Sequence, residues 1–164
     1  MKPLQVLGIL ISAAISMYGA EADPARFFKL DFAVKELDAG KVITSHAYSV
    51  RAATGQSGVA LIRTGSKVPS MVSPSGQFTY LEVGINFDIR HFKETDGDVS
   101  LELVADISSI AEDLTALAKN PIIRQNKWNS VVSAKVGKPT LIFTSDDVSS
   151  KRQMTVEMTA TPVR

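Results

Sequence analysis

The sequence predicts an all-β protein, either an antiparallel β-sandwich or a partly closed barrel of about eight strands, with one short helix near residues 110–119. Three observations predict this fold. Long stretches alternate between apolar and polar residues, as strands with one buried face do. Turn-forming residues separate these stretches. Most neighbouring stretches have no helical segment between them, which disfavours parallel crossovers and favours antiparallel pairing.

Three strands are predicted in the first part of the chain, at residues 27–37, 42–53 and 59–64. In the first of them the residues that share the apolar face are Phe28, Leu30, Phe32 and Val34. Residues 38–41 have the size and composition of a hairpin turn. The next segment, 65–76, contains two glycines, two prolines and four serines. This composition predicts a mobile loop.

The clearest alternation lies in two predicted strands, 77–91 and 99–107, which a turn at Asp96 and Gly97 joins. An Asp-Gly pair supplies the positive φ angles that a tight hairpin turn needs. A slip of one residue would expose the whole apolar set, so the register is well specified. The residues predicted to face inward are Leu81, Val83, Ile85, Phe87, Ile89, Val99, Leu101, Leu103, Ala105 and Ile107.

The predicted helix follows this hairpin. Ser109 and Glu112 have the spacing of a capping box, and Leu114 and Leu117 then lie on one helical side. A proline at position 121 ends the helix. The remaining predicted strands are 122–136, 140–145 and 151–162.

The N-terminal segment, residues 1–22, has the features of a secretory signal peptide. Lys2 precedes an uncharged, mostly apolar run at 4–17, and Ala20-Glu21-Ala22 matches an A-x-A cleavage site. The apolar run is short for a transmembrane helix, which needs about 20 residues. We therefore expect export, and a single β-domain over residues 23–164.

Composition argues against several functions. A net charge of +1 gives no electrostatic reason to expect binding to nucleic acid or to an anionic membrane. The chain has no cysteine, so disulfides and thiolate metal sites are excluded. His46 and His91 lack the spacing of a metal site, and Asp96-Gly97-Asp98 lacks most ligands of a calcium loop. We expect no catalytic residue, no cofactor and no metal.

Two groups of polar residues remain as candidates for an interaction surface. Two acidic residues lie in the loop before the last strand, ahead of two basic residues, although such loops are ordinarily just solvated. The single tryptophan shares a strand with cations, where an exposed ring could bind a partner but a core position is the commoner role. The candidate interaction residues are Asp146, Asp147, Lys151, Arg152, Arg124 and Trp128.

Several short segments between positions 58 and 145 occur in a recognisable order. They are 64–69 (TGSKVP), 80–87 (YLEVGINF), 99–103 (VSLEL), 107–109 (ISS), 122–132 and 138–143 (KPTLIF). This order resembles the C-terminal domain of bacterial secretins, the outer-membrane rings of type II and type III secretion. The resemblance implies a related strand plan, and does not by itself imply a pore.

The resulting hypothesis is a non-enzymatic envelope β-domain, periplasmic or secreted, with a structural or protein-interaction role. Open strand edges would be its means of self-association or of binding another envelope protein. The alternative is a small-molecule carrier with a cavity in the sandwich or barrel, gated by the 65–76 loop. A hydrolase is a third and weaker interpretation, because no nucleophile–base set is visible. We expect no nucleic-acid partner, and no membrane signal beyond residues 1–22.

Overall fold

Eight β-strands form two four-stranded sheets in the computed structural model, which describes residues 25–55, 60–71, 76–111, 121–148 and 150–163. The strands are β1 (Phe27–Asp38), β2 (Lys41–Ala53), β3 (Ala60–Met71), β4 (Phe78–Thr95), β5 (Asp98–Ile110), β6 (Ile123–Lys135), β7 (Thr140–Asp146) and β8 (Arg152–Val163). One sheet has the order β2-β1-β8-β7 and the other β3-β4-β5-β6. Every neighbouring pair is antiparallel. The predicted all-β antiparallel fold is confirmed, and it is a sandwich rather than a closed barrel.

The core lies between the two sheets and follows the predicted alternation. Phe32 of β1 packs against Phe87 of β4, with ring centroids 5.1 Å apart. In β5 every residue predicted to face inward is buried. In β4 the inward residues from Ile85 onward are buried, whereas Leu81 and Val83 are half-buried. The two central strands of each sheet thus supply most of the apolar core.

Strand β4 is longer than predicted, because it continues past His91 through a β-bulge. The pairing with β5 shifts register between Arg90 and Lys93, and His91 adopts a φ of +51°. A bulge inserts one extra residue, so the alternation changes parity there. Phe92 consequently turns inward and contacts Phe28 edge-on, with centroids 5.4 Å apart. The prediction that this strand ends at His91 was wrong for that reason.

The prediction of a mobile loop at 65–76 was wrong over its first part, 65–71, because β3 extends to Met71. Its glycine, serines and proline belong to a strand at the edge of its sheet. An edge strand tolerates Pro69 because only one side of the strand needs backbone donors. The rest of the predicted loop, 72–75, lies outside the described residues.

Other predictions fall partly or wholly on residues that the structure does not describe. Ile110 ends β5, and the predicted helix at 112–119 lies outside the described residues, as do the 1–22 signal segment and residues 56–59. Over the ranges that are described, no helix has the length and apolar character needed to span a membrane.

Candidate functional site

Four strands of the sandwich have an open edge. In the described part of the chain, β2 and β7 end one sheet and β3 and β6 end the other, so each has a neighbouring strand on one side only. Strand β2 contacts β3, and β6 contacts β7, across the gap between the sheets. The open edges therefore occur in two pairs, one pair on each side of the sandwich. An unpaired strand edge is a template for pairing with another chain.

A two-stranded ribbon, residues 66–71 and 78–83, extends from one of these edges. Pairing of β4 with β5 begins at Ile85 and Ile107, whereas pairing of β4 with β3 continues to Phe78 and Met71. At the point of separation the Gly84 N–H donates to Ser108 Oγ at 3.0 Å. The ribbon therefore has β3 and β4 but no β5, and one of its faces carries exposed Met71, Phe78 and Tyr80.

Two glycines allow β3 and β4 to approach closely at the base of the ribbon. Gly65 and Gly84 lie directly opposite each other. A Cβ atom on Gly84 would lie 2.1 Å from the carbonyl oxygen of Thr64, and Gly84 has a φ of +155°. No other residue type fits this backbone without a shift. The sequence does contain a signal for this contact, since Gly84 interrupts the polar face of a strand, and isolated strand glycines mark close approaches.

A charged cleft lies at one end of the sandwich, where β6 and β8 begin and β7 ends. Its volume is about 340 Å³. Four of the six predicted interaction residues line it, together with a glutamate of β1. These charged residues of the cleft are Glu36, Arg124, Asp146, Asp147 and Arg152. Lys151 does not line the cleft, and neither does Trp128.

The charged groups of the cleft are paired within the protein. Arg124 Nε lies 2.8 Å from Asp147 Oδ2, and both side chains are less than a fifth exposed, at 18% and 15%. Arg152 Nη1 donates to Glu36 Oε1 at 3.3 Å. Asp146 Oδ1 accepts a hydrogen bond of 2.9 Å from Gln153 Nε2. This arrangement joins the ends of four strands, β1, β6, β7 and β8, by polar contacts.

Trp128 lies between the edges of the two sheets. Its ring stacks on Phe143 of β7, with centroids 3.8 Å apart and planes 7° from parallel. Phe87 contacts it edge-on, at 6.2 Å. Its Nε1 is buried and has no hydrogen-bond partner among the described residues. The indole thus closes one side of the sandwich, as a core tryptophan does.

The described residues contain no group of three or more histidine, aspartate and glutamate side chains placed to hold a metal ion. His46 lies on β2, near the Tyr48 ring, and His91 lies on β4, 3.5 Å from Glu102. The two histidines are therefore on different sheets.

Two titratable groups on β1 and β2 have shifted pKa values. Partial burial raises the pKa of Asp31, but hydrogen bonds from Ser49 and Lys29 and the charge of Lys29 outweigh it, so the pKa lies below its ordinary value. Burial raises the pKa of Tyr48. Asp31 lies on the solvent-facing side of its sheet and pairs with neighbours in the same sheet, so its shift reflects sheet stabilisation rather than a catalytic pair.

Comparison with known proteins shows similarity at the level of the fold. No protein-family model matches the sequence, and no curated protein matches it. The pilotin–secretin AspS–GspD complex of ETEC matches with a TM-score of 0.51 at 10% identity, covering 85% of this chain and 47% of that chain.

Two further secretin structures match over the same share of this chain. GspD, the type II secretin of enteropathogenic Escherichia coli, has a TM-score of 0.48 at 12% identity, covering 85% of this chain and 66% of its own. XcpQ of Pseudomonas aeruginosa has a TM-score of 0.48 at 13% identity, covering 85% and 57%. The chain therefore spans between 47% and 66% of these solved chains. The match to the AspS–GspD complex, with a TM-score above 0.5, shows a secretin-like fold.

Proposed function

We propose that this chain is a non-enzymatic structural module of the bacterial envelope that assembles through its open strand edges. The observation that carries the proposal is the presence of two pairs of open edges, one pair on each side of the sandwich. In this proposal residues 1–22 direct export, and residues 23–164 form the assembling domain.

The directions of the edge strands favour pairing between copies in the same orientation. Three antiparallel steps separate β3 from β6, so these two strands run in opposite directions. The same holds for β2 and β7. A second copy placed beside the first would therefore form antiparallel junctions in both sheets at once. Such a head-to-tail contact repeats to give a ring or a filament.

The secretin-like fold supports the compartment and the mode of assembly. The solved structures that share the fold are named as secretins, and one of them is a complex with a pilotin. On the basis of this similarity we propose only that a sandwich with this strand plan assembles with itself or with another envelope protein. The charged cleft, with Arg124, Asp146, Asp147 and Arg152, would then be a contact point for such a partner.

No observation favours the alternative of a small-molecule carrier. The space between the sheets is filled by buried side chains such as Phe28, Phe32 and Phe87. The charged cleft is open to solvent, and the first part of the predicted gate is strand β3.

The proposal is tested by expressing the full chain with its N-terminal segment, isolating the envelope fraction, and measuring mass by light scattering over a hundredfold range of concentration. We expect integer multiples of the chain mass, or a stable complex with a second envelope protein after crosslinking in cells. A strict monomer that captures no envelope protein would contradict the proposal.

A further inference from the structure

We infer that the ribbon binds an extended segment of a different envelope protein, which adds a strand to β4 along residues 78–82. The segment has a basic residue opposite Glu82 and apolar residues opposite Tyr80 and Phe78. This inference rests on the proposed function. It concerns an edge inside a sheet rather than at either end of one, and it gives the chemistry of the partner.

This edge of the ribbon belongs to β4, on the side where β5 lies in the rest of the sheet. At the base of the ribbon the Gly84 N–H donates to Ser108 Oγ at 3.0 Å, and the Gly84 carbonyl oxygen accepts from the same hydroxyl at 3.4 Å. Main-chain groups alternate in direction along a strand, and β4 keeps one register with β3 to the end of the ribbon. The N–H and C=O groups of Phe78, Tyr80 and Glu82 therefore face the same side as those of Gly84.

These main-chain groups have no partner strand in the part of the chain that the structure describes. Pairing of β4 with β5 begins only at Ile85 and Ile107, and the end of β5 beyond Ile107 pairs with β6. An extended peptide that adds to such an edge makes two main-chain hydrogen bonds at every second residue. Both β3 and β5 run antiparallel to β4, so we expect a strand in the place of β5 to do the same.

The side chains beside this edge select the chemistry of the partner. Phe78 and Tyr80 are 55% and 65% exposed, and the segment 68–81 contains no charged residue. Glu82 lies on the same face, and it forms no ion pair with another described side chain, although Lys67 is in register with it on β3. Opposite charges and apolar pairs directly across two strands are favourable. An antiparallel partner therefore needs a basic residue followed by apolar residues two and four positions later.

A lipid surface and a second copy of the chain fit this edge less well. Hydrocarbon offers no hydrogen-bond partner, so burying the ribbon in lipid would leave the open N–H and C=O groups of β4 unsatisfied. If two copies paired along this edge in full antiparallel overlap, Glu82 of one copy would face Phe78 of the other. A carboxylate would then lie opposite an aromatic ring, and a segment with a basic residue avoids both conflicts.

Amide hydrogen exchange of the full chain, followed by NMR, tests whether the edge is open. The N–H groups of Tyr80 and Glu82 should exchange about tenfold faster than those of Leu81 and Val83, which face β3. Equal rates at these four positions would overturn the inference, because the two sides of β4 would then be alike.

The probe for binding is the peptide TKTVTVT, whose lysine would lie opposite Glu82 and whose valines would lie opposite Tyr80 and Phe78. At about 1 mM, a concentration at which weak pairing is measurable, it should slow exchange at Tyr80 and Glu82 several-fold. N-methylation of the lysine and both valines removes the donors that face β4 and should abolish this effect. N-methylation of the threonines between them is the matched control and should preserve it. Equal effects of the two modified peptides, or no protection by the unmodified one, would overturn the inference.

Exchange of charge tests the basic residue of the partner. Glu82→Lys protein should bind TKTVTVT about fivefold more weakly than the unmodified protein does, and the peptide TETVTVT should restore binding to the variant. Glu82 is exposed, so the substitution removes nothing from the core. Equal affinities in all four combinations would overturn the assignment of a basic partner. Sedimentation of the chain with phosphatidylcholine–phosphatidylglycerol vesicles, without protection by the peptide, would replace the peptide partner by a lipid surface.

Failure of this inference can be told from failure of the proposed function. If the chain self-associates in light scattering, or is crosslinked to an envelope protein, but TKTVTVT gives no protection, this inference fails and the proposed function stands. If the chain is a strict monomer that captures no envelope protein and the peptide gives no protection, both fail.

Discussion

Trp128 lies flat on Phe143, with ring centroids 3.8 Å apart, and this stack joins the edge strands of two different sheets. Strand β6 belongs to one sheet and β7 to the other, and no backbone ladder connects them. The stack therefore helps to hold one side of the sandwich closed through side chains, together with the Arg124–Asp147 ion pair at the end of the same two strands. Aromatic pairs add about 0.5–1.5 kcal/mol beyond the area they bury.

Replacing Phe143 by alanine should destabilise the protein by about 2–4 kcal/mol, because it removes a large ring from between the sheets and leaves a cavity. Urea unfolding followed by circular dichroism measures this loss. Tyr80→Ala is the matched control, since Tyr80 is 65% exposed, and it should change the free energy of unfolding by less than about 0.5 kcal/mol. Equal losses in the two variants would contradict a closing role for the stack.

The base of the ribbon supplies a second prediction. Gly84→Ala should cost about 3 kcal/mol or more, because the new Cβ would meet Thr64 O at 2.1 Å and Gly65 Cα at 2.4 Å. Urea unfolding again gives the measurement. Gly97→Ala is the control, because Gly97 also has a positive φ of +82° but a Cβ there meets nothing within 4 Å. It should cost about 1 kcal/mol. Equal losses in the free energy of unfolding for Gly84→Ala and Gly97→Ala would contradict the conclusion that close strand approach requires Gly84.

The strands with strict alternation could be predicted from the sequence, because burial of one face imposes a period of two. Strand β5 is the clearest case, with its inward residues buried from Val99 to Ile107. The bulge at His91 could not be predicted, because strict alternation along the strand would turn Phe92 outward. One extra residue lets Phe92 face the core, and the sequence does not show that it must do so. Strand β3 was missed for a different reason. Its local composition resembles that of a loop. Gly65 fits in the strand because of its partner strand, and Pro69 fits because the strand lies at the edge of its sheet.

The charged cleft was predicted only as a set of residues. Arg124 and Asp147 are 23 positions apart in the chain, and they meet because β6 begins where β7 ends. Sequence spacing contains no information about that meeting, since it requires the order of strands in two sheets. Trp128 was named for its cationic neighbours on the same strand, yet its ring points between the sheets rather than into the cleft. Whether the cleft residues bind a partner stays a prediction.

The Arg124–Asp147 pair supplies a third prediction. Asp147→Asn should destabilise the protein by about 1–3 kcal/mol, because it leaves a largely buried guanidinium without its counter-charge. Asp146→Asn is the control on the adjacent residue. The Asp146 carboxylate accepts from a neutral amide, and an asparagine oxygen can replace it at a cost below about 0.5 kcal/mol. Urea unfolding at neutral pH measures the stability of both variants. Equal losses in Asp147→Asn and Asp146→Asn would show that the Arg124–Asp147 pair does not join the strand ends.

The last prediction concerns acid. Asp31 is held in its charged form by Ser49 and Lys29, so its pKa in the folded protein lies below the ordinary value of 3.8. A carboxyl with a depressed folded pKa contributes stability that is present above its unfolded pKa and is lost as pH falls through the folded pKa. The unmodified protein should therefore have a higher urea midpoint than Asp31→Asn. The difference should be constant from about pH 5 to about pH 8, which lies above the range in which a carboxyl group ordinarily titrates. That margin should shrink below about pH 4.

Ser49→Ala tests the cause of this pH dependence, because it removes one of the hydrogen bonds that favour the charged form of Asp31. Where Asp31 is retained, Ser49→Ala should lose less stability on acidification than the unmodified protein does. Where Asp31 is replaced by asparagine, Ser49→Ala should have little further effect. Ser45→Ala is the matched control. Ser45 lies on the same strand and the same side as Ser49, four residues away, where it pairs with Lys35 rather than Asp31. A margin between the unmodified protein and Asp31→Asn that stays constant down to pH 2 would show that protonation of Asp31 costs no stability, and would contradict a stabilising role for its charge.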